Sequence, residues 1–213
     1  MSETQMQFDI EALPAKDGEK LLLSTVVPRP IAWITTVSPE GIMNAAPFSF
    51  FNLMGVDPPL IAIGIQGHRE KRSKDTGENI RTSADFVVNL VTETTVAAMN
   101  ITCIDAPPEV DELKLAGLKT AASIKVRPPR IAAAEVAFEC RVEKSLSFSA
   151  NQSIVIGRVV QVHIHDAYVL DPERCYIDTP KLGLVARMHG SGWYTRTSEM
   201  FQLQRPVWSA RKD

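Results

Sequence analysis

Cysteine is scarce in this 213-residue sequence: Cys103, Cys140 and Cys175 are far apart and odd in number. No Cys-x-x-Cys pair occurs, so neither a zinc knuckle nor a dithiol redox motif is supported. The thiols read as reduced and mostly buried, in a reducing compartment. No apolar run approaches the ~20 residues of a membrane span. The stretch from Met1 to Lys20 is polar and acidic, without the basic start and apolar core of a secretory signal. A cytoplasmic protein is expected. There is no basic surplus either: 23 Lys and Arg stand against 25 Asp and Glu, for a net charge of -2. That balance weighs against nucleic acid as a partner, although a pocket for one phosphate stays compatible with it. No Gly-x-Gly-x-x-Gly motif follows a strand, which removes a dedicated dinucleotide-binding domain. The βαβ rhythm of a parallel sheet is missing too.

What is present is an ordinary share of hydrophobic residues, 45%, enough for a globular core. Residues 1–20 read as an N-terminal arm, and 21–213 as one domain. Ile31–Val37, Leu60–Ile65 and Asp85–Val91 read as strands, Leu60–Ile65 being a continuous apolar run suited to burial on both faces. Ser73–Thr82 and Glu93–Ile101 read as helices, the second with Val96, Ala97 and Met99 facing inward. The proline pairs Pro107-Pro108 and Pro128-Pro129 bracket a helical excursion near 103–130 that is too poor in apolar residues for its own core. Glu135–Ser147 alternates, with Val136, Phe138, Cys140 and Val142 on one face and Glu139, Arg141 and Glu143 on the other. Ile154–Val169 reads as one long strand, joined to the previous one around Ser149–Gln152 in a hairpin. The pattern predicts a mostly β, antiparallel barrel with peripheral helices.

The segment Val27–Asn52 is the most informative. An apolar strand runs into Ser38-Pro39-Glu40-Gly41, a type I turn by composition. The strand after it mixes polar Asn44, Ser49 and Asn52 with aromatics. Pro47 cannot donate to a ladder, so it interrupts a regular central strand. Such a wall suits a flat, half-polar ligand; a plain hairpin accounts for the same residues. Lys74-Asp75-Thr76 lies at a helix start, where backbone amides attract anions; a cap by Ser73 or Asp75 accounts for it as well. His163 and His165 share a strand face, but no third ligand is placed beside them, and they read as surface histidines, with no metal site. Ala186–Tyr194 gathers glycine, charge and aromatics in a loop able to approach a ligand closely.

The run PRPIAWITTVSPEGIMNAAPFSFFN resembles the signature of the flavin reductase-like family, whose fold is the FMN-binding split barrel. Lys74-Asp75-Thr76 with Asn79-Ile80 and Asp85–Leu90 is similar to a second block. Glu112-Leu113 with Ala116-Gly117-Leu118, Pro129-Arg130-Ile131 with Phe138-Glu139-Cys140, and Ile156–Val160 resemble three more. Five blocks in order, from about Leu21 to about Trp208, are specific for the family and much less so for the enzyme.

The resemblance implies an antiparallel split β-barrel that binds FMN, or FAD in its place. NADH or NADPH would supply hydride for a downstream acceptor such as a monooxygenase. A non-catalytic flavoredoxin-like electron carrier is the alternative. It implies a phosphate held by Lys74 and Thr76, with Asn79 nearby. The flavin edge would meet Asn44, Ala45, Pro47, Phe48, Ser49 and Phe50, partly through main-chain N–H groups. Thr35 and Thr36 become ribityl or phosphate contacts, and Arg29 either a phosphate ligand or a structural residue. Arg187, His189 and Tyr194 are candidates for the nicotinamide, although Met188-His189 departs from the family's more glycine-rich form. No acid–base dyad or nucleophile is required. A homodimer is implied, with the aromatics Trp193, Tyr194, Phe201 and Trp208 as interface candidates.

Overall fold

The computed structural model describes residues 5–67 and 74–208. Ser73 and the rest of 68–73, and with them the expected cap by Ser73, lie outside the described residues.

Seven strands form one antiparallel sheet: β2 (Ala32–Val37), β3 (Met43–Phe48), β4 (Phe51–Val56), β5 (Pro59–Gln66), β6 (Asp85–Leu90), β9 (Val136–Ser149) and β10 (Gln152–Ile164). Their order is β3-β2-β6-β9-β10-β5-β4. The two edge strands are consecutive in sequence, so the sheet must curl until its edges meet. Where the chain passes from β3 into β4, Gly64 N–H donates to Phe50 O at 2.7 Å, extending the β4–β5 ladder by one pair, and a Cβ on Gly64 would lie 2.9 Å from Phe50 Cβ. Only glycine lets the two backbones come that close. This is the split barrel.

Apolar residues on alternate positions fill the interior: Ala32 and Ile34, Ile61, Ile63 and Ile65, Phe86 and Val88, Cys140 and Val155. Gly157 belongs to the same packing, since a Cβ there would fall 2.5 Å from Phe86 Cζ. The opposite face of β2 is buried too. Ile31 and Trp33 meet Val91, Met99, Leu113, Ile131 and Val185 in a second core outside the barrel. The excursion makes that core together with α3 (Val96–Ile101) before it, contributing α4 (Glu112–Leu115) and the ribbon of β7 (Thr120–Ala121) and β8 (Arg130–Ile131). Trp33 Nε1–H donates to Thr102 Oγ1 at 2.9 Å, and Asn89 Oδ1 accepts from Ile131 N at 2.9 Å. The excursion is therefore bolted to the barrel by buried polar contacts as well as apolar ones.

Several expectations change. β2, and not the apolar run of β5, is the strand buried on both faces. The outward residues of β5, Ala62 and Gly64, line an open groove, because no second layer covers them. Pro47 sits in an edge strand in register with Trp33. Ala45 N–H points away from β2, and Pro47, two residues on, shares that outward direction; its missing N–H costs no ladder bond. The polar N-terminal stretch holds a helix, α1 (Ala15–Thr25). Val96 and Met99 of α3 pack inward as expected, while Ala97 is exposed and Ala98 takes its place. The strand expected from Ile154 to Val169 ends at Ile164, where a short turn leads to β11 (Val169–Asp171), paired with β12 (Tyr176–Ile177).

Glu139 is the largest departure. Alternation put it on a polar face with Arg141 and Glu143, yet it is 0% exposed. It accepts Ile124 N at 2.7 Å, Lys125 N at 2.6 Å and His163 Nε2 at 2.6 Å. The returning excursion covers that face of β9 and supplies the donors. His163 is accordingly no surface histidine: it lies on an interior strand and is spent on Glu139. His165 is exposed, and its Nδ1 accepts from Ala167 N.

Candidate functional site

β3, the start of α2 (Asp75–Ser83) and the segment after α3 enclose a cavity of about 390 Å³. Asn44, Pro47 and Phe48 form one wall, Lys74, Asp75 and Thr76 the second, and Thr102–Pro108 with Glu112 the third. α2 lies across the end of the barrel because Ile80 joins the interior core while Thr76 and Asn79 turn polar atoms toward β2 and β3. Its N-cap position is taken by Lys74, whose side chain caps none of the helix amides. A helix start whose N-cap residue bonds none of the helix amides through its side chain, beside an ammonium group, is chemically suited to an anion. This donor set fits a flavin phosphate. The apolar and aromatic residues of β3 suit a ring.

A buried polar network stands behind the wall. Asn44 Nδ2 and Ala45 N both donate to Glu112 Oε2, at 3.1 and 3.2 Å. Asn44 Oδ1 accepts from Thr76 Oγ1 at 2.7 Å and from Thr36 Oγ1 at 3.2 Å, and Thr36 Oγ1 accepts from Asn79 Nδ2 at 3.0 Å. Burial pushes the Glu112 carboxyl up. Its own backbone amide, Ala45 N–H and the Asn44 amide pull it back, while the charge of Asp75 adds to the rise.

The predicted residues divide into groups. Asn44, Pro47, Phe48, Lys74 and Thr76 converge on the cavity, and Ser49 and Phe50 continue from it into a shallow recess shared with Lys74. Thr36 and Asn79 lie behind the wall in the network. Ala45 faces the outer core, with its N–H held by Glu112; as Pro47 has none, β3 offers fewer outward amides than expected. Thr35 is fully buried and donates to Pro129 O, on the side of the sheet away from the cavity. Arg29 is a structural tie: its guanidinium donates to Leu23 O, Val26 O, Met188 O and Ser49 Oγ, holding α1 against the strand after it. Burial and neighbouring Arg187 lower its pKa.

Arg187 lies in β13 (Val185–Arg187), which pairs with β1 (Arg29–Pro30) and β14 (Tyr194–Arg196). It stacks over Tyr194 at 4.9 Å and donates to Gly190 O; His189 stacks on Trp193. Arg187 and Lys74 both act electrostatically on Cys103, a residue of the cavity wall, against the burial that raises its pKa. Glu112 and Cys103 had no role assigned from sequence. The signal for Glu112 was a carboxylate directly ahead of an apolar leucine in a four-residue helix whose neighbours pack inward. Among the described residues no group of three or more His, Cys, Asp and Glu is gathered as a metal site, and no helix is long and apolar enough to cross a membrane.

With that geometry in place, similarity to known proteins becomes informative. The Bacillus subtilis protein YwrF, itself uncharacterized, is 41% identical over 204 residues, covering 93% of this chain and 98% of YwrF. The crystal structure of nitrilotriacetate monooxygenase component B from Bacillus cereus superposes with a TM-score of 0.87 at 32% identity, covering 95% of this chain and 100% of that one. The 2-nitrobenzoate 2-nitroreductase NbaA of Pseudomonas fluorescens gives 0.86 at 32% identity, covering 96% and 100%. Residues 23–178 match the flavin reductase like domain, a span that includes every strand of the barrel and all three walls of the cavity. The chain belongs to the flavin reductase-like family.

Proposed function

We propose that the protein is an NAD(P)H-dependent flavin reductase that binds FMN in the cavity between β3, α2 and the segment after α3. The observation that carries this reading is the meeting of an anion seat, Lys74 with the start of α2, and an aromatic wall, Pro47 to Phe50, in one cleft of a flavin reductase-like barrel. Bound FMN would supply hydride-accepting chemistry. The chain's own residues bind and orient it. Lys74 and Thr76 hold the phosphate, Phe48 and Phe50 meet the ring, and Pro47 leaves the strand edge open to it. Arg187, His189 and Tyr194 receive the nicotinamide beside the ring. FAD is compatible with the same seat. The likeness to a monooxygenase component B supports a monooxygenase as the downstream acceptor, and the proposed place of action is the cytoplasm.

The functional unit we propose is a homodimer. Val26, Phe50 and Met54 line an apolar groove of about 440 Å³ on the β4 side of the barrel. Phe201 and Trp208 in the C-terminal segment are 87% and 92% exposed, so that segment does not pack on its own barrel. Apolar surface of this kind marks an interaction face.

Anaerobic addition of NADH or NADPH to the purified protein with FMN tests the activity. Bleaching of the flavin absorbance at a rate that depends on protein supports a reductase. Tightly retained flavin that neither coenzyme reduces would instead support the electron carrier.

A further inference from the structure

We infer that Glu112 is a proton-coupled positioning residue of the phosphate seat: in its protonated form it lets the Asn44 amide turn over and releases the Thr76 hydroxyl hydrogen to the cavity. This inference rests on the FMN reading above.

The hydrogen bonds carry the argument. Thr76 and Thr36 each own one hydroxyl hydrogen, and both hydrogens go to Asn44 Oδ1. A phosphate oxygen only accepts. Thr76 therefore lines the cavity with its hydrogen already spent on Asn44. The orientation of Asn44 is dictated from its other side. An ionised Glu112 only accepts, so Asn44 must present its NH2 to Oε2. A protonated Glu112 has an O–H to donate. Asn44 can then accept it with Oδ1 and point its NH2 at Thr76 and Thr36. The turn exchanges the amide nitrogen and oxygen between nearly the same positions, and it costs the Thr36 hydroxyl its acceptor on Asn44. Removing the carboxylate charge also relieves repulsion toward a phosphate, in the same sense.

The surroundings favour this. Glu112 is 5% exposed. The titratable and charged groups around it are Asp75 and Lys74 at the start of α2, Cys103 and Asp105 across the cavity, and Asp111 and Lys114 on its own helix, which pair with each other. β3 contributes none. By linkage, a phosphate that prefers the protonated form is bound with proton uptake. Riboflavin, which has no phosphate, is bound without it.

The test is the dissociation constant of FMN and of riboflavin between about pH 6 and 9 for the wild type and Glu112→Gln. Glutamine carries no charge at any pH, so the comparison isolates the titration of Glu112. Titration of Lys74 and of the FMN phosphate cancels in the ratio of the two proteins. The wild-type to E112Q ratio of FMN constants should rise with pH, by up to about tenfold per unit once Glu112 ionises, while the riboflavin ratio stays flat. A flat FMN ratio overturns the proposal. Should E112Q not fold, calorimetry of the wild type in two buffers of different ionisation enthalpy at about pH 8 serves, where the FMN phosphate (pKa about 6) is already dianionic. Proton uptake with FMN and none with riboflavin supports it, and no uptake with FMN overturns it. If the folded wild type binds neither flavin, the FMN reading itself falls and the proposal with it.

Discussion

Replacing Glu139 with glutamine tests whether the excursion is held to the barrel by one buried carboxylate. Its two oxygens receive three N–H groups, from Ile124, Lys125 and His163, at 2.6–2.7 Å with no solvent access. Burial raises its pKa, but the Ile124 amide, His163 and the Lys125 amide outweigh that, and the net shift is downward. Glutamine keeps the shape and turns one acceptor into a donor, which then opposes an N–H. At least one charge-assisted bond of about 1.5–3 kcal/mol is lost, and the remaining two become neutral bonds of about 1 kcal/mol each. Relief of the charge's desolvation opposes this. A net loss of about 2–3 kcal/mol follows, which at a slope of about 2 kcal/mol/M lowers the urea midpoint by about 1–1.5 M. Hydrogen exchange at the Ile124 and Lys125 amides should accelerate beyond the global loss. The pH dependence has a defined sign. A carboxyl whose folded pKa is lowered contributes fully above the unfolded carboxyl's pKa of about 4.3 and loses that contribution as pH falls through the lower folded value. Glu139's own share of the gap between wild type and E139Q should therefore be full above the unfolded carboxyl's range and close in acid. An unchanged midpoint at pH 7, with both amides still protected, would show that the Glu139 contacts do not hold the excursion in solution.

Lys74→Ala should weaken FMN binding by roughly ten- to a hundredfold, the worth of one charge-assisted phosphate contact; equal dissociation constants would remove Lys74 from the seat. Gly157→Val should destabilise by about 1–3 kcal/mol through overlap with the buried Phe86 ring, visible as a lower urea midpoint; Phe86→Leu in the same chain should recover part of that loss. Met54→Glu should convert the proposed dimer to a monomer in sedimentation at micromolar concentration, because it puts a charge into the groove beside Phe50. A wild type that sediments as a monomer refutes the dimer outright.

Local chemistry was legible in the chain itself. Ser38–Gly41 closes its turn with Gly41 N–H on Ser38 O at 3.0 Å and Gly41 at φ +91, as proline and glycine at those positions require. The hairpin around Ser149–Gln152, the helix after Lys74 and the alternation of Val136, Phe138 and Cys140 are likewise set by neighbours a few residues apart. What a strand's second face meets is not local. β5 and β2 are both strongly apolar, and only the path of the excursion decides that β2 is covered on both sides while β5 leaves Ala62 and Gly64 on a groove. The same path turns Glu139 from a surface residue into the most enclosed carboxylate of the sheet, and spends Thr35 on Pro129. Arg29 is open in the sequence between a phosphate ligand and a structural residue, and three carbonyls from α1's end and from residue 188 converge on it as a tie. Glu112 and Asn44 are 68 positions apart. Their meeting, and the direction of every hydrogen in the network behind the cavity, exists only once the barrel and its outer layer are assembled, because hydrogen-bond direction depends on the whole set of donors and acceptors in contact.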